Sequence, residues 1–255
     1  MPIELISGIE VVNNLPLVYI RKYKALILAD THIGYEEDMA EKGIFIPSFQ
    51  LRNVMEVINE AFNLVDVDKV IIAGDLKHKF DSLGRQERRE LSRLLTELLT
   101  RVDELIVVRG NHDNFLPLLQ RKFNFKIVNE YLLGDMLIIH GHKDLRDHIA
   151  SIGNKWKVLI MGHEHPSITL RDELGVVGRF PCFLLGGLRN LNKSVLVLPA
   201  VGAYQTGSKV TLSPDTYLSP VIRDEVNIGE IRPVIVDRDV GVMELPPLKY
   251  LFDLI

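Results

Sequence analysis

Lys69-Val-Ile-Ile-Ala-Gly-Asp75 is a short aliphatic run that stops abruptly at glycine and aspartate, and similar runs recur along this 255-residue chain. Continuous β-branched and aliphatic runs of this length are typical of strands that are buried on both faces. The other runs of this kind are Lys24-Ala-Leu-Ile-Leu-Ala-Asp30, Glu104-Leu-Ile-Val-Val-Arg-Gly-Asn111, Met136-Leu-Ile-Ile-His140 and Lys157-Val-Leu-Ile-Met-Gly-His163. We predict that each run forms an inner strand.

The segments around these runs predict the remaining elements. Apolar residues recur at helical spacing over Ser48–Phe62, after Pro47, and leucines do so over Gln86–Val102. Strands that alternate with helices indicate an α/β fold. From about Thr169 onward, short strand-like runs separated by Gly, Pro and Asn indicate a second sheet stacked on the first. These runs are Val176–Gly187, Ser194–Val201, Lys209–Leu212 and Ile231–Asp237. We predict one domain over residues 1–255.

Composition narrows the class of protein. The chain is 47% hydrophobic and 25% charged, which is typical of soluble globular proteins. Its longest apolar stretches are far shorter than the roughly 20 residues that cross a bilayer. We expect no membrane association and, because the N-terminus does not resemble a signal peptide, a cytoplasmic location. The single cysteine, Cys182, lies in an apolar run and is predicted to be a buried structural thiol.

The net charge of -4 gives no overall basic signature of the kind that supplies non-specific nucleic-acid affinity. This weakens a polynucleotide substrate without excluding it, because the potential at one site can differ in sign from that of the whole molecule. A local basic segment does follow the second strand run. Its residues are Lys77, Lys79, Arg85, Arg88 and Arg89.

Polar residues with metal-binding chemistry follow each of the five runs. They form the segments Asp30-Thr-His32, Gly74-Asp75, Gly110-Asn-His-Asp113, His140-Gly-His142 and Gly162-His-Glu-His165. In open α/β sheets, ligands bind at the carboxyl ends of the strands. The five segments are therefore expected to converge on one site.

The donor inventory of this site favours a metal centre. On an extended chain, residues two apart can point the same way, so that Asp30 with His32, and His163 with His165, can chelate. Carboxylates, imidazoles and an amide oxygen, without thiolates, suit Mn, Fe or Zn. Taken alone, Asp30-Thr-His32 is also typical of a helix cap and Gly110–Asp113 of an Asx turn. The ordered occurrence of all five segments favours the metal site.

This ordered set resembles the signature of the calcineurin-like metallophosphoesterase superfamily, D-x-H, G-D, G-N-H-[DE], H and G-H-x-H. The resemblance implies an α/β four-layer αββα sandwich of two mixed β-sheets flanked by helices. It also implies two divalent metal ions, with Mn favoured and Fe, Zn, Ni or Mg as alternatives. The implied ligands are Asp30, His32, Asp75 and His165 for one ion, and Asp75, Asn111, His140 and His163 for the other.

The resemblance also implies two catalytic residues outside the ligand set. His112 matches the histidine that contacts the phosphate and stabilises or protonates the leaving oxygen, whereas Asp113 is expected to be structural. Gly74-Asp-Leu-Lys-His78 matches the form found in SbcD-type repair nucleases, where the extra histidine helps to orient the phosphodiester. An exposed loop histidine is the alternative for His78.

Three further stretches carry a narrower resemblance: Asp30-Thr-His-Ile-Gly-Tyr35 followed by Gly43 and Pro47, Arg179-Phe-Pro-Cys-Phe-Leu-Leu185, and Leu196-Val-Leu-Pro-Ala-Val-Gly202. Through them the chain is similar, over nearly its whole length, to SbcD-related archaeal phosphoesterases and to the ligase-associated PdeM-like family. The similarity implies a phosphodiester-cleaving DNA or RNA nuclease related to DNA repair, acting on single-stranded or damaged nucleic acid. Hydrolysis of a small nucleotide ester is one alternative, and a non-catalytic interaction scaffold is another. The apolar residues of Leu245–Ile255 are expected to dock either on the core or on another subunit of a homo-oligomer.

Overall fold

The computed structural model describes residues 3–173, 175–205 and 207–251. Within these ranges the chain forms six α-helices, two β-sheets and short 3-10 turns. The helices are α1 (Tyr35–Glu41), α2 (Gln50–Leu64), α3 (Arg85–Leu99), α4 (Pro117–Gln120), α5 (Leu145–Ile152) and α6 (Pro220–Glu225). The 3-10 turns are Arg21–Tyr23, Pro214–Thr216, Ile228–Glu230 and Leu248–Tyr250.

The first sheet follows the order of the chain. Its strands are β1 (Ile3–Ile6), β2 (Ile9–Val11), β3 (Val18–Ile20), β4 (Ala25–Leu28), β5 (Lys69–Ile72), β6 (Glu104–Val108) and β7 (Lys126–Val128). Strands β1 to β4 are antiparallel neighbours, whereas β4 to β7 are parallel. In the parallel part, Ile27 pairs with Ile71 and Ile71 with Ile106. The carboxyl ends of β4, β5 and β6 therefore lie side by side.

The second sheet contains the remaining strands of the described chain. They are β8 (Tyr131–Leu133), β9 (Met136–Ile139), β10 (Val158–Met161), β11 (Pro166–Asp172), β12 (Gly175–Gly187), β13 (Ser194–Val197), β14 (Ser208–Lys209), β15 (Arg232–Asp237) and β16 (Gly241–Glu244). Parallel strands β9, β10 and β13 lie at its centre. The main order is β14-β11-β12-β13-β10-β9-β8, and β15 pairs with both β12 and β16.

Three hydrophobic clusters give the molecule four layers. One lies between the sheets and combines residues of both, including Ile71 and Phe183. A second packs helices α2 and α3 on the outer face of the first sheet, and a third packs α5 and α6 on the outer face of the second. The structure confirms the predicted four-layer αββα sandwich of two mixed sheets.

The clusters also explain why the strand runs are continuously apolar. In β4, Leu26 and Leu28 face the helices, whereas Ala25 and Ile27 face the other sheet, and all four are buried. Successive side chains of a strand point to opposite faces, so a strand covered on both sides needs apolar residues at every position. All five predicted inner strands are confirmed.

The boundary between the sheets differs from the prediction. We expected the second sheet to begin at about Thr169, but β8, β9 and β10 already belong to it. A strand buried on both faces has the same sequence pattern in either sheet, so the runs carried no information about which sheet they join. The consequence is that the predicted site lies across both sheets.

Several smaller predictions are resolved by the packing. The two predicted helices are observed with ends shifted by one to three residues. The predicted strand Lys209–Leu212 is reduced to Ser208–Lys209, because the Thr211 hydroxyl accepts a hydrogen bond from the Ser213 amide and so closes a turn. Cys182 is buried, as expected, and burial raises the pKa of its thiol.

At the C-terminal end, Leu248 and Leu251 are buried in the outer core of the second sheet, and residues 252–255 of the predicted docking segment lie outside the described residues. No α-helix within the described ranges is long and apolar enough to cross a membrane.

Candidate metal centre

The predicted ligands lie at the carboxyl ends of parallel strands from both sheets. Asp30 and His32 follow β4, Asp75 follows β5, and Asn111 follows β6, all in the first sheet. The second sheet contributes the other three residues, which follow β9 and β10. They are His140, His163 and His165. Because the inner faces of the sheets pack on each other, these two edges meet and the side chains come together.

One group of donor atoms is formed by Asp30, His32 and His165, which lie within 4.8 Å of one another. The Nε2 atoms of His32 and His165 are 3.3 Å apart, and His165 Nε2 is 3.3 Å from Asp30 Oδ1. Neighbouring ligands on a metal with bonds of about 2.1 Å are expected at roughly this separation. Asp75 Oδ2 lies 3.7 Å from His32 Nε2, at the edge of the group.

A second group is formed by Asp75, His140 and His163. His140 Nε2 lies 3.3 Å from Asp75 Oδ2 and 3.2 Å from His163 Nδ1. The amide oxygen of Asn111 is 3.1 Å from the same His140 nitrogen. Asp75 Oδ2 thus faces both groups, which is the position that a bridging carboxylate requires.

The chemistry of these atoms fits bound cations. His140 Nδ1 lies 3.0 Å from the backbone carbonyl of Ala73, which can only accept, so Nδ1 carries a ring proton and Nε2 is the nitrogen that faces Asp75 and Asn111. Asp30 Oδ1 is buried and has no hydrogen-bond partner. Acceptors directed at one another are unfavourable unless positive charge, from a proton or a metal cation, lies between them. Both groups therefore fit a divalent cation.

The electrostatic environment points in the same direction. Burial opposes the ionisation of Asp75, but His140 and His32 outweigh it and hold the pKa of the carboxyl well below its ordinary value. Burial also opposes the charging of His140, but Asp75 raises its pKa to about 9. Burial lowers the pKa of His163 to about 3. The centre therefore keeps an ionised carboxylate beside a neutral imidazole and favours positive charge next to Asp75.

Strained backbone accompanies most of these side chains. Among the described residues, seven other than glycine have a positive φ, and five of them are candidate ligands. The five are Asp30 (57°), His32 (42°), Asp75 (51°), His163 (70°) and His165 (46°). This left-handed region is uncommon for residues with a Cβ, and such strain is typical of functional sites. It corrects our expectation of an extended chain, because each loop turns sharply instead.

Two glycines allow the close approach of the loops. A Cβ on Gly74 would lie 2.1 Å from His140 Nδ1, and one on Gly110 would lie 2.1 Å from Asp75 Oδ1. Both distances are far below van der Waals contact. Each glycine thus makes room for a candidate ligand from another loop.

Buried carboxylates hold the loops of the first sheet. Asp113 accepts hydrogen bonds from the amides of Asp75 and Gly110, each at 2.9 Å, and from Lys77 at 3.3 Å. It is fully buried, and its position agrees with the structural role that we expected. Glu87 accepts the amides of the next loop, those of His78 and Lys79. Sequence reasoning missed Glu87, although a glutamate three residues after a glycine at a helix start was an available signal, and its Oε2 accepts the Gly84 amide at 3.2 Å.

Glu164 holds a loop next to the second sheet in the same way, by accepting backbone amides. It is fully buried between the two half-buried neighbours His163 and His165 and accepts the amides of Leu218 and Ser219 at 3.1 and 2.9 Å. Sequence reasoning gave it no role. The available signal was a charged residue between two candidate ligands, which needs partners of its own when it is buried.

His112 and His78 lie together at the rim of the centre. The His112 amide donates to Asp75 Oδ1 at 2.9 Å, and its Nδ1 contacts the backbone carbonyl of His78. The two rings stack, with centroids 5.3 Å apart and an angle of 18°. His78 Nε2 is 3.3 Å from Asp38 Oδ2, and burial lowers the pKa of His78 to about 4. His78 is therefore a packed residue of the site and not an exposed loop histidine.

The predicted basic segment does not form one surface. Lys77 is 0% exposed, and its Nζ contacts the backbone carbonyl of Lys79 and lies 3.9 Å from Glu87. Lys79 is buried and pairs with Glu41 at 2.6 Å. These two lysines therefore give no support to a nucleic-acid substrate, because both lie against acidic neighbours. The exposed cations of the segment are Arg85, Arg88 and Arg89.

The centre opens to solvent through a cavity of about 340 Å³. The residues that line it combine candidate ligands, the two rim histidines, two tyrosines and a small loop. They are His32, Tyr35, His78, His112, His165, Tyr204, Gln205, Gly207 and Ser208. A phosphate group can therefore reach the ligand atoms from outside.

Comparison with known proteins identifies the family of this chain. The calcineurin-like phosphoesterase family model matches residues 23–180. The solved structure of nuclease MPE from Pseudomonas putida is 21% identical, with a TM-score of 0.64, and covers 96% of this chain and 99% of that one. An archaeal phosphodiesterase is 18% identical, with a TM-score of 0.41 and coverages of 87% and 98%. The phosphoesterase YfcE from E. coli is 15% identical, with a TM-score of 0.39 and coverages of 88% and 98%.

A search of curated proteins gave no match. At 21% identity the resemblance to the nuclease shows a shared fold. The match to the family model shows more than a shared fold. It spans more than half of the chain and includes the strands and loops that carry Asp30, Asp75, Asn111 and His140. The chain belongs to the calcineurin-like phosphoesterase family and is a metal-dependent hydrolase.

Proposed function

We propose that this protein hydrolyses phosphodiester bonds in single-stranded or damaged nucleic acid, in the context of DNA repair, with two divalent ions, preferably Mn²⁺. The observation that carries the proposal is the pair of donor groups that share Asp75 Oδ2 and open on a cavity lined by two further histidines. A shared carboxylate between two groups is the arrangement used by two-metal phosphoesterases. The single domain predicted for residues 1–255 is part of this proposal.

Seven residues would hold the ions. Asp30, His32 and His165 would bind one, and His140, His163 and Asn111 the other, with Asp75 between them. When bound, two such cations lower the pKa of water and neutralise charge on phosphate oxygens. Imidazole, carboxylate and amide ligands without thiolate are compatible with Mn, Fe, Zn, Ni or Mg.

His112 is proposed to hold the proton that the leaving oxygen requires. Its Nδ1 is directed at the His78 carbonyl, which can only accept, and this fixes a proton on Nδ1. Nε2 is then the nitrogen left to exchange a proton with substrate. The His112 amide is anchored on Asp75 Oδ1, so the ring has a fixed position relative to the donor groups.

His78 is proposed to position the phosphodiester. Its ring stacks on His112, and Asp38 orients its Nε2 edge. His78 Nδ1 also lies 3.2 Å from His32 Nδ1, so the ring joins the rim to a candidate ligand. The matching Gly-Asp-Leu-x-His segment of repair nucleases supports this role and the nucleic-acid substrate.

The test is metal-dependent digestion of end-labelled single- and double-stranded DNA and RNA, read by product length. We expect cleavage of single strands with Mn²⁺, little activity without added metal, and none above background for Asp75→Asn. Elemental analysis of the gently purified protein would identify the bound metals. Wild-type protein that cleaves no polynucleotide more than Asp75→Asn does would contradict the nuclease proposal.

Two alternatives are separate outcomes of the same experiment. Hydrolysis of cyclic nucleotides or a chromogenic phosphodiester without polynucleotide cleavage would indicate a small-nucleotide esterase. Protein that contains no metal and is inactive with added Mn²⁺ would indicate an interaction scaffold.

A further inference from the structure

A continuous row of aromatic rings runs along the rim of the metal centre. Its members in order are Phe80, His112, His78, Tyr35 and Tyr204, and we refer to them as the ring row. Successive ring centroids are 5.9, 5.3, 4.8 and 5.3 Å apart. These are contact distances for aromatic pairs. The two rim histidines therefore sit in the middle, with Phe80 at one end and two stacked tyrosines at the other.

The three outer rings are not needed by the core. In the part of the chain that the structure describes, Phe80, Tyr35 and Tyr204 belong to none of the three hydrophobic clusters. Phe80 is 57% exposed, and both tyrosines line the cavity above the donor groups. Exposed aromatic surface that adjoins a catalytic centre indicates binding of a partner there.

The tyrosine end of the row is held in place. The Tyr204 hydroxyl donates to the Pro47 carbonyl, and its backbone amide donates to Gln50 Oε1 at 3.3 Å. Gln50 is fully buried and also donates to the Thr31 carbonyl, next to two candidate ligands. The Tyr35 amide donates to the His32 carbonyl at 3.3 Å. These bonds fix the ring faces relative to the centre, so little ordering is needed when a ligand stacks on them.

We infer that the ring row stacks the unpaired bases on both sides of the scissile phosphate, with Phe80 on one side and the Tyr35–Tyr204 pair on the other. The inference rests on the proposed function and names the residues that select the substrate. Base stacking on aromatic side chains is tolerant of sequence, because every base has a π-face. It also requires bases that are not stacked within a duplex.

The position of the ring row next to the rim histidines indicates which ligand it binds. A protein ligand would gain nothing from rings placed beside the residues that handle the phosphate. A polynucleotide places a base on each side of every phosphodiester, which matches rings placed on each side of His112 and His78. Little preference among the four bases follows from this mode of binding.

The test compares two single-stranded substrates of equal length with Mn²⁺. One is an oligothymidylate, and the other carries the same phosphates on abasic tetrahydrofuran units. Loss of stacking on one base corresponds to about a tenfold loss of affinity or more. We therefore expect wild-type protein to show a kcat/KM at least about tenfold higher on the thymidine substrate.

The variants Phe80→Leu and Tyr204→Leu should each lower this thymidine-to-abasic ratio about tenfold. Tyr204→Phe keeps the ring and should keep most of the ratio, with a smaller decrease because the hydrogen bond to the Pro47 carbonyl that fixes the ring is lost. Tyr250→Leu is a matched control, because Tyr250 is 65% exposed and outside the ring row. It should leave both rates unchanged. Since Phe80 is exposed, its replacement does not endanger folding.

Three results would overturn the inference, and they differ in what else they affect. Equal wild-type rates on the two substrates would overturn the ring row as a base site and leave the nuclease proposal intact. Equal losses on both substrates in Phe80→Leu and Tyr204→Leu would do the same, because they would indicate a structural role. No cleavage of either substrate by wild-type protein would overturn the inference together with the proposed function.

Discussion

The two halves of the candidate centre are built differently, although both lie at the ends of parallel strands. The first-sheet half contains long loops whose amides are held by carboxylates from other elements, such as Asp113 and Glu87. The second-sheet half is compact, and Glu164 lies between its own two histidines. The first half also carries the rim histidines. The comparison indicates that the first sheet provides substrate-handling groups and the second mainly completes the set of ligands.

The largest effect on hydrolysis is expected for Asp75, which lies where the two halves meet. Asp75→Asn removes a charge from a side chain whose Oδ2 faces both donor groups. We expect a loss of about 10³-fold in Mn²⁺-dependent phosphodiester hydrolysis, at the upper end of what one electrostatic group contributes. Metal content by elemental analysis should fall as well. Asp135→Asn, a half-exposed site paired with Lys157, is the control and should retain activity. Full metal content with normal kcat in Asp75→Asn would refute the shared role.

The next effect separates the catalytic role of a rim histidine in the first half from metal binding by a candidate ligand in the second. His112→Asn should lower kcat by about 10²-fold, the lower range for a lost general acid, while metal content stays at the wild-type level. The same loss in His165→Asn should instead be accompanied by reduced metal content, because that residue belongs to a donor group. If both variants lost metal equally, the assignment of His112 to the rim and of His165 to the metal ligands would be wrong.

Stability measurements compare the carboxylates of the two halves directly. Asp113→Ala leaves three backbone amides without their acceptor, and Glu164→Ala leaves two. Each unsatisfied buried donor costs about 1–3 kcal/mol. We therefore expect both variants to unfold at lower urea concentration than wild type, with the larger decrease for Asp113→Ala. The reverse order would show that the second-sheet half depends more on its carboxylate than its compact loops indicate.

The smallest effect is expected for Glu104, at the start of β6, which is the end of the strand away from the candidate centre. Glu104 accepts hydrogen bonds from Lys126 and Lys69, which lower its pKa below the ordinary value of 4.5. A carboxyl with a depressed folded-state pKa stabilises the protein above its unfolded pKa, and this contribution is lost as pH falls through the folded pKa. Glu104→Gln should thus cost about 0.5–1 kcal/mol at neutral pH and nothing in strong acid. Urea titrations at both pH values would measure it. A difference that persists in acid would contradict the assignment, and hydrolysis should be unaffected.

The sequence predicted the strands and the donor segments because both depend on local chemistry. A strand buried on both faces needs an unbroken apolar run, and a ligand loop needs metal-binding residues directly after it. The structure brings the seven predicted ligands together, and their metal binding stays a prediction. The family assignment rests on the same residues and is confirmed.

Features that depend on distant parts of the chain could not be predicted in this way. Strands β9 and β10 gave no sign of the sheet that they join, and the left-handed backbone at Asp75 depends on the loops around it. The burial of Lys77 requires Glu87, ten residues later on a helix. The ring row combines Tyr35, at the start of α1, with Phe80 and Tyr204 from two loops, and no spacing rule relates them.

The division of the ligands between two sheets also has a consequence for biosynthesis. Asp30 receives a hydrogen bond from the amide of His163, and its carbonyl accepts the amide of Gly202. A nascent chain that has produced only the first sheet therefore carries part of the candidate centre and lacks the amide that holds the Asp30 carboxylate. Hydrolytic competence would appear late, after the second sheet has been translated and has docked. The protein would thus have no hydrolytic activity during much of its own synthesis, without a separate inhibitor.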